Sequence, residues 1–552
     1  MMYLKKNHSN RLILIFLILG FNSCNNKIEV DLISHNGIIY SLDDNNNVFE
    51  ATAFKNGKII DIGKTHQILN KYQSKNKLDL QGKIAYPGFI DAHCHFLYYG
   101  LQLAMVDLSS ANSFEEIIEI LKKNNDKNDG DWLVGYGWDQ NQWEDKNWPN
   151  NELLNKNFNN INVVLNRIDG HAIMVNETAI KTAKVPMDTV VSGGYIEKIN
   201  GKVTGLFMDN AMSLILEKIP EANEEQKKKA LLKAQQDCIS LGLTTVDIAG
   251  LNKKDIELIN NLHNTGELKI KVYAMLSDNK ENFHYFIDSI GKPLKTTKLN
   301  VRSFKFFADG SLGSRGACLL KPYSDKKTTN GMLLQQQELF EKKLKKIKDF
   351  GFQACTHAIG DSTNRTILKS YGEILKTSND FRWRVEHVQC ISPEDIHLFK
   401  KYNIIPSVQP THATSDFSWA LLRLGKNRLT NCYRYQTLFE ENRIIALGTD
   451  FPVEEINPIH TFYAAVFRKN KDGLPLNGFQ KNESLNRLNA LKGMTIWPAL
   501  ANFEENEKGS LEINKAADMI VLDKDILDEN QKKILNTKVL YTIIDGEIVY
   551  QN

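Results

Sequence analysis

One texture recurs between Ile84 and Gly448 and constrains this chain more than any other feature: short apolar, β-branched cores separated by amphipathic stretches of helix length. The cores are Ile84 to Asp91, Thr244 to Ile248, Ile270 to Leu276, Val301 to Phe307, Phe352 to Thr356, Trp383 to Val388, Ile404 to Gln409 and Ile444 to Gly448. Between them, stretches such as Glu221 to Ser240 and Gln335 to Phe350 carry apolar residues at helical spacing. Strand and helix in alternation lead to a parallel sheet, because parallel neighbours need a long crossover. Eight such units are what a (β/α)8 TIM barrel requires, so the expected class is α/β. Two further strand-like runs, Trp132 to Tyr136 and Val163 to Ile168, exceed that count and are assigned to an insertion at about 96–220, between strands one and two. An excursion of that length from the rim reads as a lid or substrate-facing subdomain. Its Trp132, Trp138, Trp143 and Trp148 either form its core or face substrate.

The two ends of the chain differ from the middle. Asp31 to Leu42, Ala51 to Gly63 and Leu78 to Tyr86 are short β-type runs with Asn-Gly and Gly-Lys turns, and Ala517 to Leu522 and Val539 to Tyr550 repeat that texture around the hairpin signal Asp545-Gly546. The expected organisation is therefore a composite β-sandwich from 24–83 and 500–552, around a barrel at 84–499.

Ahead of both lies a leader, 1–23: Lys5, Lys6 and Arg11 precede the apolar run Leu12 to Leu19, which is too short to span a bilayer. Leu19-Gly20-Phe21-Asn22-Ser23-Cys24 resembles a bacterial lipoprotein signal, in which cleavage leaves an acylated cysteine. That resemblance implies export and a membrane anchor at Cys24, with plain secretion as the alternative. The three leader cations account for the net charge of +3, so no basic patch calls for nucleic acid. With 42% hydrophobic and 24% charged residues, the composition excludes a disordered or polytopic membrane chain. Cys94, Cys238, Cys318, Cys355, Cys390 and Cys432 show no C-x-x-C spacing and read as small buried apolar residues.

Polar ligands stand where the barrel reading ends its strands. Asp91-Ala92-His93-Cys94-His95 closes strand one, and a period of two points His93 and His95 to one side. Strand five runs into His357, strand six into His387 and strand eight into Asp450, the rim positions from which barrel enzymes build their sites. In strand four, Lys305 interrupts the apolar run Phe304 to Ala308, where a charge is costly unless paired or chemically altered.

This ordered set, H-x-H, Lys, His, His, Asp, resembles the metal-dependent amidohydrolase superfamily, and within it the amidohydrolase 3 group that includes N-substituted formamide deformylases. The matching pieces are Tyr86 to His95, Lys305 to Ala317, Thr356 to Asp361, Glu386-His387 and Gly448 to Val453, and the resemblance spans nearly the whole mature chain. It implies that His93 and His95 hold the more buried metal and that Lys305 becomes a bridging carbamate. It further implies that His357 and His387 hold a second metal, while Asp450 ligates the first and handles the proton. His387, Lys305 and Asp450 are then the expected catalytic set. Imidazole and carboxylate donors suit Zn2+, one or two ions, although other divalent ions remain open.

Gly310 to Gly316 lacks the G-K-[ST] ending of a phosphate-binding loop, so a nucleotide site is rejected. As a rim loop it places Arg315 as a substrate-binding candidate, against the alternative of a surface arginine in a glycine turn. Asp309 and Asp361 are candidates for orienting a ligand or capping a helix. Gly137-Trp138-Asp139 and Arg167 to His171 resemble family segments near substrate, which adds Asp139 and His171. The remaining histidines, His35, His66, His263, His284, His397, His412 and His460, lack strand-end context and are expected at the surface or in caps. The expected activity is hydrolysis of a non-peptide, amide-like carbon–nitrogen bond of a small molecule, in a monomer or homodimer. Ester, lactone or organophosphate hydrolysis by the same site, or a non-catalytic surface binding lipoprotein, are the alternatives.

Overall fold

A computed structural model describes residues 27–124, 131–186, 189–377 and 379–552. The leader and Cys24 lie outside the described residues. None of the described helices is long and apolar enough to cross a membrane.

The eight expected strands are present as one parallel sheet in sequence order: β1 (Phe89–Cys94), β2 (Leu243–Leu251), β3 (Lys271–Ser277), β4 (Leu299–Phe307), β5 (Gln353–Ala358), β6 (Arg384–His387), β7 (Ile405–Val408) and β8 (Ala446–Leu447). The seam between β8 and β1 closes at the rim, where Asp450 N donates to His93 O (2.8 Å) and His95 N donates to Phe451 O (2.8 Å). Gly448 permits this closure, since a Cβ there would lie 2.6 Å from His93 N. Helices such as Glu224–Ser240, whose first turn is closed by a reciprocal Asn223–Gln226 capping box, pack outside the strands. The result is a TIM barrel.

The first strand differs from the sequence reading. Ile84 to Asp91 is not one barrel strand: Ile84–Pro87 pairs with Met519–Leu522 in the flanking β domain, and β1 starts only at Phe89. Gly88 between them donates to Asp518 O, so the chain changes sheets at the Pro87-Gly88 step. The sandwich thus extends to Pro87 rather than stopping at residue 83. Its six-stranded sheet sets three C-terminal strands beside three N-terminal ones, in the order Glu547–Gln551, Val539–Ile544, Met519–Leu522, Ile84–Pro87, Ile38–Tyr40, Val48–Phe49. A four-stranded sheet from residues 32–79 packs on it over Leu32, Phe54, Ile59, Val521 and Ile543.

The insertion carries its own mixed sheet, Val106–Asp107, Trp132–Trp138, Asn162–Arg167, Ala172–Val175, Lys202–Asp209 and Gly194–Ile199. Its tryptophans belong to its core: Trp138 donates to Leu165 O and Trp143 to Ala111 O, both at 2.9 Å. A second correction concerns the cysteines. Cys390 and Cys432 form a disulfide, whereas Cys94, Cys238, Cys318 and Cys355 are free and buried as expected.

Candidate active site

The strand ends converge as the register dictates. Phe307 stands opposite His357 across β4 and β5, and Ala358 opposite His387 across β5 and β6, so the rim residues of successive strands share one level. His93 is fully buried; its Nδ1 donates to Glu386 Oε2 (2.6 Å), and its Nε2 faces Lys305 Nζ at 2.9 Å. His95 Nε2 lies 3.2 Å from Asp450 Oδ1. The His357 and His387 rings stand 4.5 Å apart, and His387 Nδ1 donates to Gln409 Oε1 (2.7 Å). The structure thus brings His93, His95, Lys305, His357, His387 and Asp450 into one cluster.

Two groups of potential ligand atoms lie within 4.8 Å of one another: His93, His95 and Asp450, and His387, His412 and Asp450. His357 Nε2 and Asp450 Oδ1 are buried without a hydrogen-bond partner. Buried polar atoms are normally satisfied, so unpaired donor atoms converging from several strands fit a divalent cation. His387 (φ 73°) and Asp450 (φ 64°) also hold left-handed backbone, a strain of about 1–3 kcal/mol each that persists only where surrounding structure enforces it.

His412 is the residue that sequence reasoning missed. It sits in the first turn of the helix Pro410–Leu424, directly after β7, with Nε2 3.3 Å from Asp450 Oδ2 and Nδ1 3.0 Å from Glu454 Oε1. The signal was present in the sequence, since Ile404 to Gln409 is a strand core and His412 follows it by three residues.

Charge states follow from burial set against partners. Burial pushes His93 down to about 4, and drives His357 and His387 well below the usual imidazole range, so all three are neutral. Burial pushes Lys305 down to about 8. For Asp450 burial favours the neutral acid, but the neighbouring His412 and His95 rings prevail and hold it well below the usual carboxylate range. His412 is the converse: despite burial, Asp450 and Glu454 raise it to about 10.

Around this cluster the β4 loop and the insertion enclose a cavity of about 650 Å³. His171 and Asp139 both line it. His171 Nδ1 is pinned by Asp209 Oδ1 at 2.7 Å, and Asp139 is paired with Arg167, which also binds Asp169. The glycines of the β4 loop serve this arrangement rather than a phosphate, since a Cβ on Gly310 would sit 2.6 Å from Asp209 Oδ1. Arg315, expected as a substrate contact, pairs with Asp325 (3.0 Å) and does not line the cavity, where Arg167 stands instead. Asp309 orders the rim by accepting from Ile359 N, Gly360 N, Cys318 N and Thr363 Oγ1. Asp361 likewise accepts from Leu320 N.

Comparison with known proteins agrees with this geometry. The sequence profile of the amidohydrolase family matches residues 77–550. A Bacillus subtilis (strain 168) protein bearing the name amidohydrolase YtcJ is 30% identical over 538 residues, covering 94% of this chain and 99% of that protein. The N-substituted formamide deformylase of Arthrobacter pascens is 23% identical, covering 94% of this chain and 98% of the enzyme. Among solved structures, an uncharacterized metal-dependent hydrolase from Pyrococcus horikoshii OT3 superposes with a TM-score of 0.75 at 27% identity, covering 91% of this chain and 99% of that one. With its ligand-bearing barrel and with relatives matched along nearly their whole length, this chain belongs to the amidohydrolase family.

Proposed function

We propose that the protein hydrolyses a non-peptide, amide-like bond of a small molecule with zinc as its metal, held by His93, His95, His357, His387 and Asp450. The observation that carries this reading is the convergence of neutral imidazoles on one buried carboxylate whose Oδ1 has no hydrogen-bond partner. Imidazole nitrogen with carboxylate oxygen is a zinc donor set. A divalent ion bound there supplies Lewis acidity for the scissile carbonyl and lowers the pKa of water to about 7.

The protein groups divide the rest of the work. Asp450 Oδ1 accepts the proton of the attacking water and returns it to the leaving nitrogen, while His412, at 3.3 Å, keeps the other oxygen oriented. Glu386 fixes the His93 ring so that Nε2 faces inward. Lys305 either stays a free amine or combines with carbon dioxide, losing one proton, to become a carbamate whose oxygens are additional ligands. His171, held by Asp209, borders the cavity beside His357, with ring centroids 5.2 Å apart, and orients the substrate.

The test is metal analysis of the purified protein, wild type beside His93→Ala and Asp450→Ala, with activity on a panel of N-formyl and N-acyl amines. One or two zincs per chain, lost together with activity in both variants, is the expected result, and the count reads the state of Lys305. Near-zero metal in metal-replete wild type would overturn the assignment. An exported, Cys24-anchored protein is part of the same reading, and the Cys390–Cys432 disulfide supports an oxidising compartment. Labelled lipid should enter the wild type, and its incorporation into Cys24→Ala would remove the anchor.

A further inference from the structure

Charges that line the cavity are nearly all matched within the protein. Asp139 and Asp169 share Arg167, and Glu454 pairs with His412. Asp450 lies among histidines, and Lys305 faces the His93 ring at the floor. Arg167 has both its acids, so the upper cavity offers no free cation to a substrate carboxylate.

Asp416 is the exception. It lines the cavity from the helix Pro410–Leu424, and its Oδ2 accepts from Tyr433 Oη at 2.7 Å. Among the described residues no basic side chain forms an ion pair with it, and Oδ1 has no hydrogen-bond partner. It is one helical turn beyond His412, so the two share a face and Asp416 stands about 6 Å further along the axis. Burial pushes the carboxyl up to about 7 against the opposing pull of the His412 charge, and Glu454 and Asp139 add negative potential there, a cost that no ion pair to Asp416 offsets. A ligand cation would remove that cost.

Resting on the amide-hydrolysis reading, we propose that Asp416 is the specificity carboxylate of this cavity, and that the substrate is an amide bearing a protonated amine about one helical turn from the bond cleaved. The cation sits against Asp416 while the scissile carbonyl lies at the ligand cluster. Neutral amides of equal length fill the same space without the ion pair.

The experiment compares kcat/KM of the metal-loaded enzyme for N-acetylputrescine and its uncharged isostere N-pentylacetamide. A second pair carries the same difference on the acyl side. Wild type, Asp416→Asn and Asp416→Glu are measured, and calorimetry records the binding of free putrescine to each. The wild type is expected to favour the charged member of at least one pair by about ten- to a hundredfold, the range of a hydrogen bond to a charged group. Asp416→Asn should collapse that ratio toward one, and Asp416→Glu should keep most of it. A wild-type ratio near one in both pairs, or a ratio unchanged in Asp416→Asn, overturns the proposal while amide hydrolysis stands. If no amide is cleaved, putrescine binding that depends on Asp416 preserves the site and sinks the hydrolysis reading. Binding that is absent, or indifferent to Asp416, sinks the site as well.

Discussion

Glu386 governs the cluster without belonging to it. Its Oε2 accepts a hydrogen bond from His93 Nδ1, and its Oε1 accepts from Arg384 Nε at 2.8 Å. Arg384 is in turn held by Asp247 (2.9 Å), all of it fully buried. Replacing Glu386 with Gln removes the charge that fixes the His93 tautomer, and should weaken metal binding by about 10- to 100-fold, read by competition with a chromophoric chelator. An unchanged affinity would make Glu386 a partner of Arg384 alone. His263 allows a separate prediction about pH. Its Nε2 donates to Ile270 O (2.9 Å) and burial lowers it to about 4, so the native state keeps it neutral while the unfolded chain protonates it near the ordinary value. Stability is then full above that ordinary value and is lost as pH falls toward 4. The loss between pH 7 and pH 5 is about 2 kcal/mol. Urea midpoints of wild type and His263→Gln should converge toward acid by roughly this amount. The clustered residues were legible in the sequence because each one breaks or ends an apolar run, as Lys305 does within Phe304 to Ala308. His412 left a fainter signal, because it stands three residues past its strand core, inside a helix that starts at Pro410. Arg315 differs in the opposite way: its glycine-rich rim loop points to the site in the sequence, whereas the fold turns its guanidinium to Asp325.

Strands and loops differ in how the sequence reveals them. The eight barrel cores are buried on both faces and read as continuous apolar runs, which is why their order could be counted. The boundary at Gly88 escaped notice because both sides of it are apolar, and only pairing with Met519–Leu522 shows that the chain changes sheets. The disulfide was equally hidden, since Cys390 and Cys432 are 42 residues apart and meet only through the fold. It joins the segment after His387 to the one before Tyr433, and Tyr433 N donates to Gln389 O across the same contact. A loop of that length corresponds to about 4 kcal/mol of stabilisation through the unfolded state. The double variant Cys390→Ala, Cys432→Ala should lower the denaturant midpoint accordingly, and added reductant should shift the wild type but not the variant. Equal midpoints in oxidised wild type and variant would show that the bridge does not stabilise the fold.

At the scale of the whole molecule, a buried cation helps to join the barrel to the sandwich. Lys271, at the start of β3, lies 2.6 Å from both Asp518 Oδ2 and Asp545 Oδ1, which flank the C-terminal strands of the sandwich. Lys271→Met leaves Asp518 without its counter-charge and Asp545 with Lys298 alone (3.3 Å), and should destabilise the protein by about 3–5 kcal/mol. A single cooperative denaturation curve at lower urea is the expected form. Two separated transitions would show that the ion pair couples domains otherwise independent.

The six-stranded sheet has a consequence in time. Ile84–Pro87 has an N-terminal neighbour in Ile38–Tyr40, but its other edge is filled by Met519–Leu522. While the ribosome is still making the barrel, that edge has no partner, and unpaired edges recruit other chains. The last strands therefore act as a latch. The fold is completed only when synthesis is nearly over, so a nascent chain keeps this edge open until its last strands emerge.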